Sequence, residues 1–324
     1  MKLLFKTDIE DSEELKELLG FVDVDLKIKN LIPDLRTATN DVIDLIGREI
    51  YQKAVDLYNE GEIAEENKEF IYSVRYPIAI NAYRLLAPSN DIAHTNDGRK
   101  MRTDSNVKLP FEWMIDRDNQ AMEKRYYRGL DDLIKFLDSQ PQGELLDLWR
   151  SSAAFKASHD LFVRTVDEFD KVFMIRSRLL LIKLSPGLED CEQYDIRPII
   201  GAAKFISLKE KIKSSENIAD EKDLQLLKLI RKATVFSALA WAMTRFSIQL
   251  LPEGILQHYT SDRQTTQSKK PSLKSEPIAA QQAFEADKAK VLREIQDLML
   301  PEPIIQPDSD IMPGLNYGDK YFST

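Results

Sequence analysis

The chain repeats itself, and that constrains its fold more than any other feature. "LIPDL" at 31–35 matches "LSPGL" at 184–188, and about a dozen residues later Ile46-Gly47 matches Ile200-Gly201. The next helical pattern carries Val74-Arg75 and Ala82 in one copy and Ile230-Arg231 and Ala238 in the other, at one spacing. Pro88 and His94 are spaced as Pro252 and His258 are. "AMEKRYYRGLDDLIKFL" from Ala121 aligns with "AFEADKAKVLREIQDLM" from Ala283, pairing Glu123 with Glu285 and Leu130 with Leu292. One such match is weak, because helical stripes resemble one another. Five in the same order, at offsets of about 150 to 165 residues, point to a divergent tandem duplication. The alternative is two unrelated helical bundles of similar length.

A length of 324 residues suits two domains. The expected fold is mainly α: two tandem divergent helical-bundle repeats with minor β segments and an extended C-terminal arm. Repeat one, with an N-terminal strand and helix, spans 1–142; repeat two spans 143–302; the arm spans 303–324. Residues 2–5 and the alternating "VDVDLKIK" (22–29) read as short strands. "DSEELKELLG" (11–20) reads as a short helix, with acids in its first turn and Gly20 as its stop. A helix is expected over 67–87 with Pro77 inside it, implying a kink or a start there. Asp97-Gly98 marks a turn within a polar excursion at 88–106. A long helix starts at Pro110, and another covers 143–162. Residues 260–277 read as a flexible polar loop.

"NDVIDLIGREIYQKAVDLY" (40–58) poses a question. Val42, Ile43, Ile46, Ile50, Ala54 and Leu57 form one helical stripe, yet Gly47 sits in its middle. An interior glycine costs about 1 kcal/mol relative to alanine. Gly201 holds the same place in the second copy. Without a Cβ, a glycine lets another backbone come close, so Gly47 and Gly201 are expected at close helix crossings. The alternative is a helix that begins at Pro198, with glycine in its first turns by drift.

The last stretch, "PEPIIQPDSDIMPGLNYGDKYFST", has four prolines and no helical period, and cannot pack as a unit of its own. It nonetheless carries Ile304, Ile305, Ile311, Met312, Leu315, Tyr317, Tyr321 and Phe322. An extended arm lying on a neighbouring subunit or partner would use these as anchors. An arm folded back on its own domain is the alternative.

Few residues suggest chemistry. The 45 basic and 54 acidic residues leave a net charge of −9, unlike a general binder of phosphate backbones. The single cysteine, Cys191, forms no intramolecular disulfide and sits among acids that raise a thiol pKa. Ser158-His159-Asp160 are adjacent, and neighbouring side chains on a helix point about 100° apart, so they resemble a triad only in composition. His94, His159 and His258 lack metal spacing, and no Gly-rich phosphate loop is present. Glu123 and Glu285 lack the Glu-x-x-His partner of helical di-iron sites. Trp113, Trp149 and Trp241 read as core or interface anchors. The opening "MKLLFKTDIEDSEELKE" predicts no signal peptide, and "VFSALAWAM" (235–243) is too short to span a bilayer. No catalytic residue, cofactor or metal is expected; the features fit a protein that assembles.

The run "LLFKTDIEDSEELKELLG", then "LIPDLRTATNDVIDLIGREIYQKAVDLY", then "IYSVRYPIAINAYRLL", then an Asp-Gly turn and a long helix ending "LDDLIKFLD", resembles an uncharacterised family. That family is encoded in phages and prophages of Bacteroidetes beside virion structural genes, and looks like the head–tail connectors of tailed phages. The resemblance covers residues 1 to about 140 and, more faintly, 165 to 300, through element order rather than a catalytic signature. It implies a helical virion protein, assembled in the bacterial cytoplasm, with no catalytic residues. Its partners would be copies of itself in a ring and virion proteins such as portal or tail components. DNA would pass through without tight binding, and no membrane is involved. The duplication departs from a single-domain connector, so one chain could fill two ring positions. Two other readings stay open. One is a cytoplasmic helical adaptor; the other is an enzyme whose site is assembled from scattered residues, such as the loops holding His94 and His258.

Overall fold

The computed structural model describes residues 2–7, 12–22, 26–60, 64–95, 98–101, 110–213, 220–246, 248–251, 254–257 and 275–300. The C-terminal arm with its eight apolar anchors lies outside them, as do most of the 260–277 loop and the Gly61 loop. The first half runs α1 (Glu13–Leu19), α2 (Ile28–Ile46), α3 (Arg48–Asn59), α4 (Glu65–Asn90), β1 (Ile92–Thr95), β2 (Gly98–Met101) and α5 (Glu112–Asp138). Two short helices follow, α6 (Glu144–Ser151) and α7 (Ala153–His159). The second half runs α8 (Val166–Asp170), α9 (Arg178–Asp190), a π-helical turn (Cys191–Ile196), α10 (Arg197–Ile200), α11 (Ala202–Lys213), α12 (Glu221–Arg245), β3 (Ile248–Leu251), β4 (Gly254–Gln257) and α13 (Ser275–Met299). The order of elements is the same in both halves, so the fold is mainly α and built of two tandem repeats.

The helices form where the apolar period demands them. In α2, Leu31, Leu35, Ala38, Val42 and Ile46 are fully buried along one stripe. Burying each larger side chain contributes about 1.5–3 kcal/mol. α1 ends as its sequence predicts, on Gly20 at φ 71°, whose N–H bonds to the Lys16 carbonyl. α4 runs unbroken through Pro77, where its counterpart α12 carries Ala233.

Neither expected early strand appears among the described residues, and residues 23–25 of the second lie outside them. Residues 2–7 form no strand, and the alternating 22–29 stretch leads into α2 at Ile28. Alternation there is too short to outweigh the helical stripe that follows. The β structure is instead two antiparallel hairpins in matching registers, Ile92↔Met101 to Thr95↔Gly98 and Ile248↔Gln257 to Leu251↔Gly254. This corrects one part of the repeat alignment. His94 lies in the first strand of its hairpin, whereas position 258 follows the second strand of the other, and Pro88 lies in α4. By hairpin register His94 corresponds to Leu250, and Pro252 and His258 lie outside the described residues. The helix expected over 143–162 breaks at Ser152, which is extended (ψ 151°) and whose hydroxyl accepts the Phe155 N–H.

Gly47 and Gly201 are not crossing points. Each ends one helix and starts the next, at φ 92°, ψ 153° and φ 80°, ψ 150°. That region is essentially restricted to glycine. A Cβ at Gly201 would meet nothing within 4 Å, and at Gly47 only the Ser152 Cβ at 4.0 Å. The stripe of 40–58 thus belongs to two helices with a sharp joint. Close approach does occur, at other glycines. A Cβ on Gly187 would stand 3.0 Å from the Ala238 Cα where α9 crosses α12, and one on Gly129 would stand 2.9 Å from the Tyr76 ring.

The π-helical turn has a simple origin. Pro33 precedes Gly47 by 14 residues, while Pro186 precedes Gly201 by 15. Both prolines lie inside the helices and both glycines end them. The second repeat must therefore store one extra residue, and a π turn is how a helix does so.

One core gathers α1 to α6 and includes Leu146 and Trp149. Two further clusters start at Leu161 and Phe162 and hold α8 to α13. In packing terms α6 therefore belongs with the first repeat, and the change of core falls near residue 160.

Candidate functional site

Each repeat is closed by a partly buried arginine on its central helix. Arg75 of α4 pairs with Glu14 of α1 at 3.0 Å, and its guanidinium lies over the rings of Phe5 and Tyr58. Glu14 also accepts the Lys6 N–H (3.0 Å) and the Tyr58 hydroxyl (2.6 Å). In the second repeat Arg231 of α12 pairs with Glu168 of α8 at 2.5 Å and donates to the Phe162 carbonyl. Glu168 accepts the Arg164 N–H at 2.7 Å and completes a capping box with Thr165. The clamp is the same in both: an arginine, a short-helix glutamate, and the backbone of the segment before that helix. Val74-Arg75 and Ile230-Arg231 were legible as a match, but the glutamates about sixty residues upstream were not. They stand 61 residues before Arg75 and 63 before Arg231, so no single spacing marks them in the sequence.

A cleft of about 370 Å3 opens beside the π-helical turn, between α9, α12 and α13. Trp241 and Tyr194 contribute rings, with Asp190, Asp195, Glu285, Arg245 and Lys288 around them. The charges are largely spent on one another. Lys288 lies 2.8 Å from Glu285 and 3.4 Å from Asp195, and Arg245 lies over Trp241. Burial works against the Lys288 charge, but the Glu285 hydrogen bond and the Asp195 carboxylate outweigh it and raise its pKa. Burial, with Asp195 beside it, pushes the Cys191 thiol up to about 12. A thiol held protonated is a poor nucleophile. A second, more open groove of about 480 Å3 runs between α3 and α6, crossed by the Lys53–Glu144 pair at 2.6 Å.

Deeper in the second repeat, Glu192 of the π turn is fully buried. It accepts the Phe162 N–H at 2.6 Å and meets Lys209 of α11 at 2.7 Å. Burial raises its pKa against the pull of Lys209. Lys209 also donates to the Asp160 carbonyl, so this pair pins the end of the linker to the second core. It is a structural contact with no opening to a substrate.

In the adjacent Ser-His-Asp run, His159 and Asp160 each engage other partners. His159 stacks on Phe155 at 4.6 Å, and burial lowers its pKa. The Asp160 carboxylate is held by Lys213 at 2.6 Å. Glu285 is paired with Lys288, and Glu123 is exposed on α5. Among the described residues no three His, Cys, Asp or Glu side chains gather as metal ligands, and no helix is long and apolar enough to cross a membrane. Trp149 is core, donating its indole N–H to Asp138; Trp113 is exposed; Trp241 lines the cleft.

These features define a duplicated helical protein with two helix–hairpin–helix repeats, each locked by an Arg–Glu clamp. The chain belongs to the Family of unknown function (DUF6712), whose model matches it over residues 38–156 and 196–296, one stretch in each repeat. No curated protein and no solved structure matches it.

Proposed function

We propose that the protein is a phage virion structural component of head–tail connector type, which works by assembling into a ring. The observation that supports this best is apolar surface rather than a reactive pocket. Phe111, Trp113 and Met114 stand exposed together where α5 begins, with Phe111 68% accessible. Adjacent exposed large apolar groups suit a surface that another chain covers. The cleft, by contrast, holds a protonated thiol and charges already paired. The partners are copies of this chain and portal or tail components, and the arm residues Ile304, Ile305, Ile311, Met312, Leu315, Tyr317, Tyr321 and Phe322 dock on a neighbour. The net charge of −9 suits a lumen through which DNA slides without being held. The protein is then made in the bacterial cytoplasm and ends in the virion.

The test is the composition of purified particles. Quantitative mass spectrometry and immunogold labelling should find the protein at one vertex, in ring-like copy number. Its absence from intact particles overturns the proposal. Removing residues 301–324 should abolish incorporation; unchanged incorporation overturns the role of the arm.

A further inference from the structure

Among the described residues, Arg75, Arg164 and Arg178 each hold a buried side-chain nitrogen with no hydrogen-bond partner. Arg75 and Arg178 nevertheless pair with carboxylates, Glu14 at 3.0 Å and Asp138 at 2.8 Å. Arg164 differs. Its Nε is the buried, unbonded atom, and no ion pair holds its guanidinium among the described residues. Its backbone N–H is bound, to Glu168 at 2.7 Å. A buried donor without an acceptor is costly, and more so when it carries charge.

The acids around Arg164 are already taken by other bases. Glu168 pairs with Arg231, Asp160 with Lys213, and the buried Glu192 with Lys209. Arg150, exposed in the last turn of α6, also has no ion pair among the described residues. Both free arginines act on His159. Burial lowers its pKa, and Arg164, Lys213 and Arg150 add to the effect against the pull of Asp160. In a chain of net charge −9, this excess of positive charge is local. The first repeat closes the same place differently. There Tyr58 lies under the arginine and donates its hydroxyl to Glu14, and the residue whose N–H meets that glutamate is the exposed Lys6. With Gly47 matched to Gly201, Ile212 stands where Tyr58 would, and it supplies neither ring nor hydroxyl.

We propose that Arg164, Arg150 and His159 form a binding site for a phosphate dianion, either inorganic phosphate or the terminal group of a small phosphate monoester, where the chain passes from α7 into the second core. A guanidinium presents paired N–H donors to two oxygens of such a group, and the buried Nε gains the acceptor it lacks. Two arginines without a counter-charge match a charge of about −2. A carboxylate brings half of that. A nucleic-acid backbone spreads its charge along a line, which one spot on an acidic chain does not follow. This site stands apart from the connector role proposed above.

The test titrates the full-length protein with inorganic phosphate, adenosine monophosphate and acetate, read by calorimetry and by the His159 ring resonances in NMR. Phosphate and the monophosphate should each bind once per chain and move the His159 signals; acetate at the same concentration should do neither. Arg164→Gln should weaken binding by about tenfold or more. Arg164→Lys keeps the charge but loses the fork and should also bind more weakly than the wild type. Arg150→Gln, at an exposed position that the fold does not need, should weaken binding too, so the proposal stays testable even if Arg164 variants unfold. Arg128→Gln, on the exposed face of α5, should leave binding unchanged. No saturable binding at millimolar phosphate overturns the proposal, as does binding that Arg164→Gln and Arg150→Gln leave intact. Acetate displacing phosphate on equal terms overturns the dianion, and a duplex oligonucleotide that binds more tightly than phosphate overturns the small-molecule site in favour of a backbone interface.

Discussion

Asp131, in the C-terminal half of α5, accepts the backbone N–H of Arg178 at 2.5 Å and so caps a helix of the other repeat. The same oxygen accepts the Leu179 N–H at 2.9 Å, in a position where all three residues are buried. Asp131→Ala strands two N–H donors and should cost about 1–3 kcal/mol. Because the lost bonds join the repeats, calorimetry should also show one unfolding transition separating into two. Asp131→Asn keeps an acceptor and should cost less.

The joints at Gly47 and Gly201 make a separate prediction. Gly47→Ala and Gly201→Ala should each cost about 1–3 kcal/mol from backbone strain alone, since the space around them is open. Gly187→Ala should cost a similar amount, about 1–3 kcal/mol, by overpacking α9 on the α12 backbone. Gly143→Ala, in extended backbone with open surroundings, should stay within about 0.5 kcal/mol. Urea midpoints measured side by side decide the pattern.

Asp223 in the first turn of α12 is buried beside Lys204 and Lys211. Burial opposes its charge, but the two lysines outweigh it and hold its pKa below the usual carboxylate value of 3.8. The folded state then holds this proton less tightly than the unfolded state. The stabilisation is present above pH 3.8 and is lost as pH falls below it. Asp223→Asn should lower stability at pH 7 and flatten its decline below pH 4, read from denaturation midpoints across the range.

Cys191 is 1% exposed, and its thiol pKa of about 12 leaves almost no thiolate near neutrality. The native protein should react with a thiol-specific disulfide reagent at pH 8 only as fast as it opens. Reaction should be complete at once in denaturant. Rapid native labelling would contradict the burial.

Much of the fold could be read in advance because helices report their buried face locally. The stripe Leu31, Leu35, Ala38, Val42, Ile46 recurs at helical spacing whatever packs against it. The matches at Pro33/Pro186, Gly47/Gly201 and Arg75/Arg231 survived divergence because each serves a backbone or buried polar need common to both copies. The errors were at short range and low content. The alternation over 22–29 runs into the helical stripe that begins at Ile28, and the hairpin register sets His94 against Leu250. Of the candidate site, the glycines were found but misread, and the clamp glutamates were missed, since a contact sixty residues away leaves no period.

The amino-acid order alone established a helical protein built twice from one plan, because periodicity and repetition are properties of the chain itself. Tertiary structure decided what the marked residues do: Gly47 turns a corner, Glu14 and Glu168 hold arginines, and α5 meets α9 while α13 packs on α12. A stripe says that a face will be hidden, and only the folded chain says by what.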